Sequence, residues 1–169
     1  DTHSYELVTG EGDTNNAAFA IEGNKLKINN SPNFESLPSY SIRIKTTDAG
    51  GLSQEQVIAI AVTDVSEAPT DINLSSTNIN ENIPSDTVVA TLSTNDEDGG
   101  DTHAYELVIG AGDTDNSIFA IEGDRLKINA NPNFEAKSEY SIRVKTIDSQ
   151  GLSFEKSVVL AVNNLNEAP

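Results

Sequence analysis

The chain has no cysteine and no tryptophan, aromatic residues make up only 5%, and 10 basic side chains stand against 27 acidic ones. Without cysteine there is no disulfide frame, no thiolate metal site and no thiol nucleophile. A net charge of −17 lacks the basic footprint that nucleic acids and anionic membrane surfaces require. No apolar run approaches the ~18 residues that span a bilayer, so direct membrane insertion is not expected. No stretch carries a helical stripe of apolar residues. The scarcity of aromatics also removes the obvious stacking platform for a sugar ring.

What is present is a repeat. Asp1-Thr2-His3-Ser4-Tyr5-Glu6-Leu7-Val8 returns as Asp101-Thr102-His103-Ala104-Tyr105-Glu106-Leu107-Val108, and the correspondence runs without a gap to Glu67-Ala68-Pro69 and Glu167-Ala168-Pro169. A period of 100 residues is a whole domain rather than a solenoid turn. Residues 70–169 therefore form one complete repeat. Residues 1–69 form a repeat without its first strands, because Thr70 to Gly100 has no counterpart before Asp1. Two explanations stand: the chain is a window from a longer array, or a neighbouring chain supplies the strands. A tandem array suits spanning distance or presenting copies of a surface.

Within each repeat the apolar residues alternate. Tyr140, Ile142 and Val144 oppose Ser141, Arg143 and Lys145, and Tyr40, Ile42 and Ile44 repeat the pattern. Val158, Leu160 and Val162 alternate, as do Val88, Ala90 and Leu92, and Tyr105, Leu107 and Ile109. Phe119 and Ile121, then Leu126 and Ile128, flank Gly123-Asp124, a tight hairpin turn; Gly23-Asn24 is its counterpart. A seventh, broken strand falls between Thr70 and Asn80. Seven short strands in about 100 residues predict an all-β fold, tandem seven-stranded antiparallel Greek-key β-sandwiches of the immunoglobulin-like kind.

The carboxylates cluster outside these strands. The densest run is Asn95-Asp96-Glu97-Asp98-Gly99-Gly100-Asp101. Glu81 follows the first strand, Glu35 and Glu135 precede the Tyr40 and Tyr140 strands, and Asp48 and Asp148 end them. Asp64-Val65-Ser66-Glu67-Ala68-Pro69 links the repeats. Hard oxygen ligands on loops suit calcium, which takes six to eight of them in flexible geometry. The spacing is not that of an EF-hand. A solvated acidic surface is the competing reading. His3 and His103 lack a second histidine or a cysteine and are expected to be structural or surface residues. Gly112-Asp113-Thr114-Asp115-Asn116 is expected to be an Asx-stabilised turn. No carboxylate pair converges with a His, Lys or Cys cluster, so an enzyme is not expected.

Repeat length, strand number, the Asp-x-Asp segment, the Gly-Asp-Thr-His-x-Tyr stretch and the linker together resemble the cadherin family. They resemble especially the cadherin-like repeats of large bacterial surface proteins. The resemblance implies calcium at the junction of the repeats. Asn33 and Glu35 match an Asp-x-Glu motif, Asp64 and Glu67 the linker carboxylates, Asp96 and Asp98 the Asp-x-Asp pair, and Asp148 a further ligand. Asp48, Glu81, Asn133, Glu135 and Glu167 would serve neighbouring junctions. Two departures reduce the expected ions to one or two: Asn replaces the first Asp of Asp-x-Glu, and the linker is one residue short. The implied protein is extracellular, a calcium-stiffened spacer in a long surface adhesin or filament, its partners the adjacent repeats. The alternative is a module that itself contacts a surface polysaccharide or an identical molecule.

Overall fold

In the computed structural model, which describes residues 2–167, the alternating stretches are β-strands. These residues divide into two units, one ending at Val65 and the other starting at Ser66. The first holds β1 (His3–Leu7), β2 (Phe19–Glu22), β3 (Lys25–Ile28), β4 (Ser39–Asp48) and β5 (Ser53–Ala61). The second holds β6 (Asp71–Leu74), β7 (Asn78–Asn80), β8 (Thr87–Asn95), β9 (Ala104–Leu107), β10 (Phe119–Glu122), β11 (Arg125–Ile128), β12 (Glu139–Ile147) and β13 (Ser153–Asn163). No helix among the described residues is long and apolar enough to cross a membrane.

The second unit is a β-sandwich with sheets ordered β10-β11-β8-β6 and β7-β13-β12-β9. Its core takes Ile72, Ala90, Leu92, Phe119, Leu126 and Ile128 from the first sheet, and Ile79, Tyr140, Ile142, Val144, Val158, Leu160 and Val162 from the second. Each Val, Leu, Ile or Phe side chain among them contributes about 1.5–3 kcal/mol on burial. Phe119 and Tyr140 meet edge to face at 5.6 Å. The one buried polar side chain on the inner face of β12, Thr146, shares a hydrogen bond of 2.8 Å with Thr94, whose hydroxyl also reaches the Tyr105 hydroxyl at 2.9 Å. The hairpin turn lies at Gly123, where φ of 62° favours glycine, and Glu122 pairs with Arg125 across it.

Three details depart from the alternation. Val88 is exposed although Ala90 and Leu92 are buried. The cause is a register shift against β11, in which Leu126 faces Ala90 and Lys127 faces Val88; the extra residue, Val89, reverses the phase. Ile109 is 94% exposed because the chain leaves β9 at Leu107 and enters the turn closed by Asp113 N–H on the Gly110 carbonyl. The broken first strand is two strands in different sheets, and β7 pairs with β13 in parallel, the one parallel pair among the described strands.

The first unit repeats the sister geometry, with sheets β1-β4-β5 and β2-β3. Phe19 and Tyr40 meet edge to face at 5.3 Å. Its described residues include no counterpart of β6, β7 and β8. Leu26 and Ile28 are each 39% exposed, whereas Leu126 and Ile128 are fully buried.

The Asp113 loop is a turn of the expected kind, since the Asp113 carboxylate accepts the Gly110 amide at 3.0 Å. Asp115, two residues on, is buried and accepts hydrogen bonds from Ser141 N at 2.8 Å and Lys137 Nζ at 2.5 Å. Burial opposes its charge, yet Lys137 and the Ser141 amide hold its pKa below the ordinary value. Asp115→Ala should therefore cost about 2 kcal/mol of stability. Urea denaturation reads this as a lower midpoint, and cation binding should be unchanged.

Candidate metal centre

After β8 the chain runs into Asp96-Glu97-Asp98-Gly99-Gly100-Asp101, and the Asp101 amide donates to the Asp98 carbonyl at 3.0 Å. That turn folds the loop back and sets Asp101 beside Asp96. The turn from β12 to β13 supplies the third carboxylate, Asp148. Its Oδ1 accepts the amides of Gln150 and Leu152, both at 2.8 Å. Carboxylate oxygens of Asp96, Asp101 and Asp148 lie within 4.8 Å of one another.

Each of these carboxylates is anchored by the protein. Asp96 Oδ1 accepts the Asp98 amide at 3.2 Å, and its Oδ2 pairs with His103 Nε2 at 2.8 Å. Asp101 Oδ1 accepts the Ser149 hydroxyl at 2.7 Å and the Gln150 side-chain amide at 3.3 Å. Asp101 Oδ2 and Asp148 Oδ2, by contrast, are buried with no hydrogen-bond partner. Asp148 is only 6% exposed. Two unit charges at this separation repel by roughly 3–4 kcal/mol at an effective dielectric constant of about 20. An unpartnered buried carboxylate oxygen adds a desolvation cost. A hard cation offsets both, and an all-oxygen donor set selects calcium or magnesium over softer ions. The residues therefore fit a calcium ion.

The other expected ligands take the following places. Asp98 stands outside the three; its Oδ2 accepts the Glu67 amide at 2.9 Å and the Ser66 hydroxyl at 3.4 Å. Carboxylate oxygens of Glu67 and Glu97 lie within 4.8 Å of each other. In the first unit the same limit holds for Glu35 and Asp64. Asn33 Oδ1 accepts the Ser36 amide at 2.6 Å and so shapes the turn that carries Glu35. Asp48 Oδ1 accepts the Leu52 amide at 2.9 Å, as Asp148 does in its own turn. His103 serves as the partner of Asp96. Asp101 is the residue that the sequence reading missed. Its signal is its place in the acidic run that begins at Asp96.

A second acidic group lies at the other end of β13. Glu81 is buried and accepts the amides of Phe134 at 2.9 Å and Leu165 at 2.6 Å. Glu167 accepts the side-chain amide of Asn82 at 2.5 Å, and Glu135 that of Asn164 at 3.4 Å. Asn133 Oδ1 accepts the Ala136 amide at 2.8 Å. The Phe134 and Leu165 amides hold the Glu81 pKa below its ordinary 4.5. The Lys156 ammonium, with the Ile72 amide, lowers that of Asp71 below 3.8. A pKa depressed in the folded state gives stability that is complete above the unfolded value and lost as pH falls through the folded one. The second unit should thus hold its urea midpoint near neutrality and lose it below about pH 4.5. Glu81→Gln should lower the neutral midpoint and flatten the acid limb.

No family model matches the chain. Human protocadherin beta-1 is 28% identical over 146 residues, which cover 80% of this chain and 17% of that protein. The chain thus spans less than a fifth of that relative. A structure of protocadherin gamma B2 extracellular cadherin domains 3–6 superimposes with a TM-score of 0.67 at 20% identity, over 98% of this chain and 40% of the other. The human protocadherin-24 EC1-2 structure gives 0.69 at 20%, over 98% and 84%. These likenesses establish the fold: a cadherin-like β-sandwich.

Proposed function

We propose that the chain is a non-enzymatic pair of extracellular cadherin-like modules whose acidic loops bind calcium and thereby stiffen a longer adhesive or filamentous protein. The observation that carries the reading is the partly buried Asp96, Asp101 and Asp148 group, in which Asp101 Oδ2 and Asp148 Oδ2 are buried with no hydrogen-bond partner. A cation supplies what those oxygens lack. The protocadherin likeness supports the extracellular, adhesive setting, and the linker motif supports an array of the bacterial surface type. Asn33, Glu35, Asp64, Glu67 and Asp98 complete the proposed ligand set at the junction. Glu81, Asn133, Glu135 and Glu167 would serve a following module, and Asp48 a preceding one.

The spacer role is preferred to direct ligand contact. A sugar-binding module needs a platform of exposed aromatic faces, whereas Phe119 and Tyr140 are buried, Tyr105 and Phe134 pack against the core, and Tyr5, at 40%, is the one exposed aromatic among the described residues. A surface polysaccharide or an identical molecule is therefore the second reading, for which a glycan array and sedimentation are the checks.

Small-angle scattering tests the stiffening. A few-residue connection between domains permits relative motion by default. Millimolar calcium should narrow the distribution of interatomic distances, and a chelator should broaden it. Asp101→Asn with Asp148→Asn should give the chelator profile in calcium. Identical profiles with and without calcium would leave the ion no mechanical role.

A further inference from the structure

The turn that carries Asp148 keeps its backbone in both repeats and changes its side chains. In Asp48-Ala49-Gly50-Gly51-Leu52 the Asp48 amide donates to the Leu52 carbonyl at 2.9 Å and the Gly51 amide to the Asp48 carbonyl at 3.1 Å. In Asp148-Ser149-Gln150-Gly151-Leu152 the same two bonds measure 3.0 and 3.3 Å. Oδ1 of each aspartate accepts the amide of its own leucine. The turn therefore does not depend on Ser149 or Gln150. What these residues add is a pair of side-chain donors, and both reach Asp101 Oδ1, at 2.7 and 3.3 Å. Ala49 and Gly50, at the same positions of the first repeat, carry no side-chain donor.

The three carboxylates of the group are held in different ways. Backbone amides hold Asp148 Oδ1, and such donors are present whatever residues form the turn. Asp96 has a partner on each oxygen. The Asp101 carboxylate is held by Ser149 and Gln150 alone among the described residues. Gly99 and Gly100, just ahead of it, are exposed, and a Cβ at either would stand in open space. The orientation of Asp101 thus rests on the two donors across the gap. The Ser149 hydroxyl also touches Gln150 Oε1. Its single hydrogen goes to the carboxylate, because a bond to a charged acceptor is the stronger one. With Oδ1 taken, Asp101 Oδ2 is the oxygen left buried and unpartnered, as Asp148 Oδ2 is.

We infer that Ser149 and Gln150 are positioning residues that set the calcium affinity of this unit by orienting Asp101 before the ion arrives, and that the Ala49-Gly50 form of the turn marks a weaker site. The inference rests on the calcium reading of Asp96, Asp101 and Asp148. Its physical basis is preorganisation: an ion that meets an oriented carboxylate spends no binding free energy on ordering it. Loss of an outer partner of a metal ligand typically weakens the metal by about 10- to 100-fold. Repeats that share their ligands but differ at these two positions therefore differ in affinity. A tandem array of them fills its sites in succession as calcium rises, instead of all at once.

Calorimetric titration of the full chain with calcium is the test. Ser149→Ala with Gln150→Ala should weaken the site that contains Asp101 by roughly tenfold or more. Ser149→Ala with Gln150→Gly, which restores the first repeat's turn, should do the same. Ser149→Thr keeps a hydroxyl and should bind like the parent. Terbium, a trivalent substitute for calcium, extends the reading to weakened chains. In an Asp101→Ala background the Ser149→Ala, Gln150→Ala change should cost terbium less than about twofold, because residues that act through Asp101 have nothing left to position. A general loosening of the turn would weaken both backgrounds alike. Terbium luminescence lifetimes in light and heavy water give a second readout, and the Ser149→Ala, Gln150→Ala chain should hold the ion with more coordinated water than the parent. Parent-like calcium affinity in that chain, an equal loss in the Asp101→Ala background, or unchanged hydration overturns the inference and leaves the calcium reading in place. A parent chain that binds no calcium at millimolar concentration overturns both.

Discussion

Calcium should bind the second unit with a dissociation constant on the order of 10⁻⁴ to 10⁻³ M, and Asp148→Asn should weaken that binding by roughly tenfold or more. The same substitution should make the calcium-free unit more stable. The two signs come from one arrangement. The introduced side-chain carbonyl can still accept the Gln150 and Leu152 amides, so the turn survives. The introduced amide nitrogen replaces the partnerless Asp148 Oδ2 beside Asp96 and Asp101 and becomes a donor towards the buried Asp101 Oδ2. One charge leaves a close, partly buried group of three, which relieves repulsion in chelator. In calcium the loss of a charged ligand weakens the ion, and the stabilisation by mass action, about 2.7 kcal/mol at a hundredfold excess over the dissociation constant, falls with it. Calorimetric titration and paired thermal melts read both signs. A variant that binds calcium like the parent, or is less stable in chelator, would remove the Asp96, Asp101 and Asp148 group as a cation site.

Thermal unfolding should proceed in two steps, with the first unit melting at least about 10 °C below the second. Among its described apolar residues only Phe19 and Ile42 are buried, and Leu26, Ile28 and Ile58 are at least 36% exposed. Each core-sized side chain left in water forfeits about 1.5–3 kcal/mol, and 1 kcal/mol moves the midpoint of a domain this small by about 4–8 °C. Amides of β4 should exchange far faster than the matching amides of β12, although the two strands are nearly the same in sequence. Leu126→Ala should cost about 2–5 kcal/mol and move only the upper transition. A single transition that shifts as a whole would show that the units unfold together.

The strands were legible because their signal is periodic and local. Ile142 and Val144 face inward whatever the rest of the chain does, and the 100-residue repeat states the strands from β9 to β13 twice. The phase of β8 was not legible. Val88 has the alternation of a core residue, but the bulge at Val89 is set by how β8 meets β11, a contact remote in sequence. The cation group was half legible for a related reason. Asp96 and Asp148 stand out as acidic residues at strand ends. Asp101 is recruited by a backbone turn, and which of its oxygens lacks a donor depends on Ser149 and Gln150 across the loop. Burial in the first unit was legible only by comparison, because the same residues, Leu26 and Leu126, meet solvent in one unit and core in the other.

The parallel pairing of β7 with β13 has a mechanical consequence. These are strands near the entry and the exit of the second unit, joined over Asn78–Asn80 and Ala161–Asn163 and extended by the Ala161 amide on the Thr77 carbonyl at 2.9 Å and the Glu81 amide on the Asn163 carbonyl at 3.3 Å. Tension applied between the two ends of this unit pulls parallel neighbours in opposite directions along their common axis. Their hydrogen bonds are then sheared together instead of being peeled off one after another. Shear raises the force at which the unit opens without changing its equilibrium stability. The break between β6 and β7, which places one stretch of chain in both sheets, thus acts as a clamp against extension.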